Sequence, residues 1–68
     1  MEIERVNEET DDGNYVIESL VLKEWMYITT EFSVSTAITV AMNIYIALGV
    51  RSRVVSRRSA NKILFDSI

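Results

Sequence analysis

Residues 32–50 read FSVSTAITVAMNIYIALGV, nineteen successive positions without a charged side chain. As an α-helix rising about 1.5 Å per residue, this run is about 28 Å long, close to the thickness of a bilayer's hydrocarbon core. It is too long for one β-strand, so length favours a helix over the strand preference of its many β-branched residues. The run predicts a helix buried in a membrane or in a partner, ending near Gly49.

The two flanks of this run carry opposite charge, because nearly all acids precede it and nearly all bases follow it. Lys and Arg beside a span favour its cytoplasmic end, so we expect a single-pass membrane protein with its N-terminus outside and its C-terminus in the cytoplasm or an organellar equivalent. The bases should contact lipid head groups. The residues of this basic flank are Arg51, Arg53, Arg57 and Arg58.

Aromatic residues lie before the run, where a membrane interface would place them. Trp25 and Tyr27 are expected at this interface. Glu31 is interpreted as the interfacial charge at which the span begins; the alternative is a carboxylate within the membrane that carries a proton or an ion.

These patterns together predict an all-α chain built around one long apolar helix. Residues 1–24 are an acidic N-terminal segment, residues 25–50 the apolar helix and single membrane span, and residues 51–68 a basic tail ending in a short amphipathic helix. Two alternatives stay open. The apolar helix is either continuous or two helices meeting near residues 31–35, and residues 1–7 could pair with residues 15–21 as a hairpin, since Gly13 and Asn14 favour a turn.

One stripe of the predicted helix combines small and polar side chains at four-residue spacing. In a membrane, small residues allow close helix approach and Asn bonds across helices, which predicts a docking face for other transmembrane helices of a complex. Alternatively, the Ser and Thr hydroxyls bond to carbonyls of their own helix. The stripe consists of Ser35, Thr39, Asn43 and Ala47.

The chain contains no Cys and no His. Disulfides are thereby excluded, and the commonest general base and metal ligand are missing. The acidic pairs in residues 8–12 fit a solvated face better than acid–base machinery. We therefore expect no enzyme, no cofactor and no metal site. The predicted function is that of a small single-span accessory or assembly subunit, acting by helix docking and not by catalysis.

A different pattern overlaps the same helix: two Ser residues at its start, a branched residue three positions on, a small-plus-large pair and an aromatic near its end. These positions are Ser33, Ser35, Ile38, Ala41, Met42 and Tyr45. The pattern resembles the second helix of ribbon-helix-helix repressors and antitoxins. The resemblance implies a soluble oligomer whose β-ribbon reads DNA, with nucleic acid as its partner. A separate and simpler nucleic-acid hypothesis makes residues 51–58 a phosphate-binding arm. The sequence departs from that family where Glu31 and Phe32 replace its usual Gly.

Overall fold

In the computed structural model, residues 14–58 and 62–68 are described, and they form one antiparallel four-stranded sheet with a single helix on one side. The strand order is β2-β1-β3-β4. The elements follow the chain as β1 (Tyr15–Val21), β2 (Glu24–Glu31), α1 (Val34–Leu48), β3 (Ser52–Ser56) and β4 (Lys62–Asp66).

Strand β1 lies in the middle of the sheet and organises its register. Ile17 lies opposite Thr29 of β2 on one side and Val54 of β3 on the other. Because β2 and β3 are both antiparallel to β1, they run parallel to each other, and α1 is the crossover between them. Residue Ile28 of β2 and residue Leu64 of β4 fall at register shifts and interrupt the two outer strands.

Both ends of α1 follow local sequence signals. Ser33 has an extended backbone, and its Oγ accepts a hydrogen bond from the Thr36 amide at 3.4 Å. Gly49 ends the helix in the left-handed region, with φ 70°, and its amide donates to the Tyr45 carbonyl at 2.8 Å. A Ser before the helix and a Gly after it are the residues these positions favour, so Gly49 ends the helix where the sequence places that end.

The core lies between α1 and the two central strands. Ala37 and Ala41, one helical turn apart, are fully buried against Ile17 and Val54, which are also fully buried. Small residues at this spacing let the helix backbone approach the sheet closely, while the larger sheet residues fill the space between them. Because α1 packs mainly on β3 and β1 and less on β2, part of the helix side of β2 stays exposed.

Two hydroxyl groups are buried at the edge of this core. Ser52 Oγ donates to the Val50 carbonyl at 3.1 Å and lies 2.8 Å from Ser19 Oγ, which is left to act as the donor of that second bond. Buried polar groups cost free energy unless they are bonded, and this pair satisfies itself across β1 and β3.

The prediction of an all-α chain is wrong, because residues 24–31 form a strand and α1 begins only at Val34. The β-branched and aromatic residues of β2 have high strand propensity, which the length argument overrode. Glu31 ends β2 and Ser33 caps α1, so the predicted helix of residues 25–50 is in fact a strand followed by a helix.

The basic tail is also different from its prediction. Residues 52–56 are β3 and residues 62–66 are β4, and no amphipathic helix forms in the part of the tail that the structure describes. In the hairpin hypothesis, residues 1–7 lie outside the described residues. Its second strand, Tyr15–Val21, pairs with β2 and β3.

The membrane prediction fails on helix length. With 15 residues, α1 is about 22 Å long, short of the roughly 30 Å hydrocarbon core. Within residues 14–58 and 62–68, no helix has the length and apolar character needed to cross a bilayer. The prediction of a single-span membrane subunit with its N-terminus outside is therefore wrong.

The ribbon-helix-helix resemblance does not extend to the fold. Residues 33–45 do cap and build α1, but strands β1 and β2 precede it and strands β3 and β4 follow it. In the described part of the chain no second helix adjoins α1, so the two-helix unit of that family is missing. A capped amphipathic helix alone produces the shared pattern.

Candidate functional site

The turn between β1 and β2 consists of only two residues, Leu22 and Lys23. Their φ angles are 53° and 70°, both in the left-handed region. Two-residue hairpin turns of this kind favour Asn and Gly, because a side chain with Cβ crowds the following carbonyl there. Leu22 therefore occupies a backbone conformation that is costly for its residue type, at roughly 1–2 kcal/mol.

Leu22 is also almost completely exposed. Its side chain shows 91% of its surface to solvent, the largest exposed fraction among the large hydrophobic residues described. A strained backbone and an exposed apolar side chain at the same residue are each unfavourable for the isolated fold. Residues held in this way cluster at functional sites, so the observation supports a binding role for the hairpin tip.

The topology brings further exposed apolar residues to the same end of the sheet. Ser52, where β3 starts, pairs with Ser19 near the end of β1, so the last turn of α1 lies near the hairpin tip. The Ser67 amide donates to the Ser52 carbonyl at 2.9 Å, which places the residues after β4 there as well. We name this region the apolar end; its members are Val21, Leu22, Met26, Ile46, Leu48 and Ile68.

These six side chains come from five separate parts of the chain. Ile46, Leu48 and Ile68 each expose at least 70% of their surface. Met26 is half-exposed because α1 does not cover β2 at this point. Single exposed apolar residues are ordinary, but a group gathered at one end of a small domain is typical of an interaction surface.

A second cluster lies on the side of the sheet that α1 does not cover. The guanidinium carbon of Arg53 is 3.9 Å from the centroid of the Trp25 ring, and that of Arg51 is 5.6 Å from it. Arg53 Nε donates to Glu18 Oε1 at 2.8 Å, and Arg51 binds Asp66 with two bonds of 3.0 and 2.7 Å. Each Arg thus has its own carboxylate and shares one aromatic ring.

The second of these pairs perturbs the titration of both partners. The hydrogen bond from Arg51 lowers the pKa of Asp66, with desolvation opposing it, and the same bond raises the pKa of Arg51. Both groups remain charged near neutral pH and compensate one another. The cluster therefore links β1, β2, β3 and β4 across the open side of the sheet and presents no unbalanced positive charge to an anion.

The basic flank predicted from the sequence is split in two by this arrangement. Arg51 and Arg53 are engaged in the cluster, whereas Arg57 and Arg58 follow β3 at the opposite end of the sheet and are exposed. The prediction that this flank contacts lipid head groups is not tested by the structure.

The helix stripe Ser35, Thr39, Asn43 and Ala47 lies on the exposed side of α1. Thr39 Oγ1 donates to the Ser35 carbonyl at 3.0 Å. One hydroxyl of the stripe thus bonds to a carbonyl of its own helix, as the alternative interpretation expected. None of the four belongs to the buried core or to the residues packed against it. A docking role for this stripe stays a prediction.

The three residues expected at a membrane interface all belong to β2. Trp25 lies in the arginine cluster, and Tyr27 is exposed, with its hydroxyl 2.9 Å from Thr30 Oγ1. Glu31 is the last residue of the strand, opposite Tyr15. Trp25 and Tyr27 alternate with Met26 and share one side of the strand, whereas Glu31 falls on the other side after the register shift at Ile28.

The sequence patterns did not single out Leu22 as a candidate site residue. The turn at Leu22 and Lys23 has no Gly, Asn, Asp or Pro, so the usual turn signals were absent there and no turn was predicted. The only available signal was indirect, because a strand-like stretch ending at Val21 is followed at once by another starting at Glu24. The ion-pair partners of Arg51 and Arg53 could not be predicted from the sequence either, since Glu18 and Arg53, for example, are 35 positions apart.

Among the described residues, no three His, Cys, Asp or Glu side chains are grouped so that they could hold a metal ion. Comparison with models of known protein families, with curated protein sequences and with solved structures found no match to this chain. Its function is therefore argued from its own geometry.

Proposed function

We propose that this chain is a small non-catalytic module that binds another protein chain through its apolar end. The observation that carries the proposal is Leu22, which is both strained and 91% exposed at the hairpin tip. Neither property stabilises the isolated domain, whereas burial of this side chain in a partner would remove its apolar surface from water, which is favourable. The strain is then a cost of presenting Leu22 to that partner.

The surroundings of Leu22 support the same function. The other members of the apolar end form a set of exposed apolar residues around it, which is the composition expected near the centre of a protein interface. At 68 residues the chain buries a small core, and domains of this size commonly gain stability by association.

A non-catalytic role is supported by the chemistry of the chain. It contains no His and no Cys, so a Ser nucleophile would lack its usual base. The two hydroxyls that lie closest to one another in the core, those of Ser19 and Ser52, are buried and bonded, and they face no open site.

Site-specific photo-crosslinking tests this proposal. A benzophenone amino acid is placed at Leu22 in one variant and at Asn43, on the predicted helix stripe, in a matched control. In extract of cells that make the protein, we expect a saturable adduct from position 22. Excess unlabelled wild-type protein should compete for it, and the Leu22→Asn variant should not.

Two results would contradict the proposal. The first is the absence of any saturable adduct from position 22. The second is an adduct from position 43 alone, which would assign binding to the stripe of Ser35, Thr39, Asn43 and Ala47. The mass of the adduct also distinguishes a second copy of this chain from a different protein.

A further inference from the structure

The charged residues of the apolar end have a distinctive order. Lys23 and Glu24 are consecutive, opposite in sign and exposed, and they directly follow Leu22. The other two charged side chains described at this end, Arg51 and Asp66, are paired with each other. The charge available to a partner at the hairpin tip is therefore one positive and one negative group side by side.

The Lys23–Glu24 pair of one copy is complementary in charge to the same pair of a second copy. In an interface with two-fold symmetry, residue i of one copy meets residue j of the other, and the reverse contact forms at the same time. A neighbouring Lys and Glu near the axis then form two opposite-charge contacts, Lys23 with the other copy's Glu24 and the converse. A strongly acidic or strongly basic partner would instead be attracted by one of the two residues and repelled by the other.

The shape of the apolar end also suits a second copy. Leu22 projects from the tip, whereas Met26 lies on the helix side of β2, where α1 leaves it half-exposed. One surface thus has both a protruding apolar side chain and an uncovered apolar area beside it. A two-fold arrangement would place each protruding Leu22 over the uncovered area of the other copy.

We propose that the apolar end is a homodimer interface, in which two copies pack Leu22 against Val21 and Met26 of the opposite copy and pair Lys23 with Glu24. This inference rests on the proposed function and names the partner of that same surface as a second copy of this chain. Burial of Leu22 in both copies at once offsets the strain of both hairpin turns.

Charge exchange tests the inference directly. Lys23→Glu and Glu24→Lys are made singly and together, and dimerisation is measured by sedimentation velocity over a concentration series at low salt. The wild type should dimerise, and each single variant should show a dissociation constant raised by at least about tenfold, because like charges then face each other. The double variant should dimerise as the wild type does.

The decisive measurement is an equimolar mixture of the two single variants. One has two acidic residues at the tip and the other has two basic residues, so the mixture should form heterodimers although neither variant dimerises well alone. Asn43→Lys, which changes charge on the exposed side of α1, is the matched control and should dimerise like the wild type. Circular dichroism checks that every variant is folded.

Three outcomes would overturn the homodimer. The wild type could remain monomeric at all concentrations; if position 22 then still crosslinks to a different protein, the proposed function stands and only the second copy is wrong. Dimerisation could persist in both single variants without preferential heterodimers, which would place the interface elsewhere. Leu22-dependent sedimentation of a monomer with anionic phospholipid vesicles would assign the apolar end to lipid and contradict both proposals.

Leu22→Asn provides a second route to the same decision. Asn is favoured in this turn, so the variant should fold at least as well as the wild type while losing dimerisation. A folded Leu22→Asn variant that dimerises with wild-type affinity would contradict the inference even if the charge variants failed to fold.

Discussion

Gly49 and Leu22 lie near the same end of the molecule and share a left-handed backbone conformation. Gly49 has no side chain, whereas Leu22 has a large apolar one. Gly49 ends α1 at φ 70°, and Leu22 opens the β1–β2 turn at φ 53°. At Gly49 the residue is the one that the backbone requires, because glycine has no Cβ to crowd the chain. At Leu22 the residue is among those that the backbone tolerates least.

The difference separates a structural position from a functional one. A glycine at a left-handed helix end satisfies the fold and needs no further reason. A leucine in the same backbone region, exposed to solvent, lowers the stability of the isolated chain twice, through strain and through apolar exposure. The proposed contact of its side chain with a partner chain accounts for a leucine at this position.

Replacement of Gly49 should have the largest effect on stability. A Cβ at this position would meet no atom within 4 Å, so any cost of Gly49→Ala comes from the backbone conformation and not from a clash. We expect a loss of about 1 kcal/mol, because an L-residue is strained in the left-handed region, and a fall in Tm of about 4–8 °C.

Thermal unfolding followed by circular dichroism measures this change. Gly49→Asn is the matched control and should lose much less, since Asn tolerates a positive φ. Equal losses in both variants would show that the helix end is sensitive to something other than backbone strain.

Replacement of Leu22 should have the opposite sign and a smaller size. Leu22→Asn relieves part of the turn strain, so the monomer should gain about 0.5 kcal/mol. Unfolding must be measured at a protein concentration low enough to keep the wild type monomeric, because dimerisation raises the apparent stability. Lys23→Asn, in the same turn, should give a similar gain while leaving the apolar side chain in place.

Leu22→Asn and Lys23→Asn together test whether the turn is strained in the monomer, in contrast to the backbone at Gly49. If Leu22→Asn destabilised the monomer, Leu22 would be contributing to packing within the domain, and its assignment to a partner would lose its main support.

A third and smaller effect concerns the chain just after Gly49, where Arg51 binds Asp66 of β4. The pKa of Asp66 is lowered in the folded state, so this pair contributes stability that is present above the unfolded value near 3.9 and is lost as pH falls through the folded pKa. The raised pKa of Arg51 adds no loss in this range, because Arg stays protonated.

The difference in Tm between wild type and Asp66→Asn, followed from about pH 6 to pH 2, measures this contribution. We expect the difference to shrink towards the acid end of that range. A difference in Tm that stays constant over the range would mean that the contribution of the Arg51–Asp66 pair does not depend on the charge of Asp66.

Local signals predicted part of the fold correctly. The end of α1 at Gly49 was predicted correctly, whereas its start was placed at residue 25 and lies at Val34, after the cap residue Ser33. The strand preference of Ile28, Thr29 and Thr30 was also visible, but the length of the apolar run was given more weight. That weighting was wrong because Glu31 ends β2 and Ser33 caps α1, so residues 25–50 contain a strand and a separate helix.

The surfaces were less predictable than the elements. The bases Arg51 and Arg53 looked like a free positive flank, and their acidic partners lie in β1 and β4. Spacing along the chain carries no information about such pairs, because they depend on strand order. The apolar end was hidden for the same reason, since its members come from two strands, a turn, the helix and the residues after β4.

The sequence by itself determined where α1 ends and how unevenly charge is distributed along the chain. Each of these depends on residue type or on contacts within a few positions, where propensity and capping act. Only the tertiary structure decided which side of each strand is buried, which charges are compensated and that Leu22 stands exposed at one end. These depend on pairings between distant segments, such as Ser19 with Ser52, whose free energy exists only once the sheet has formed.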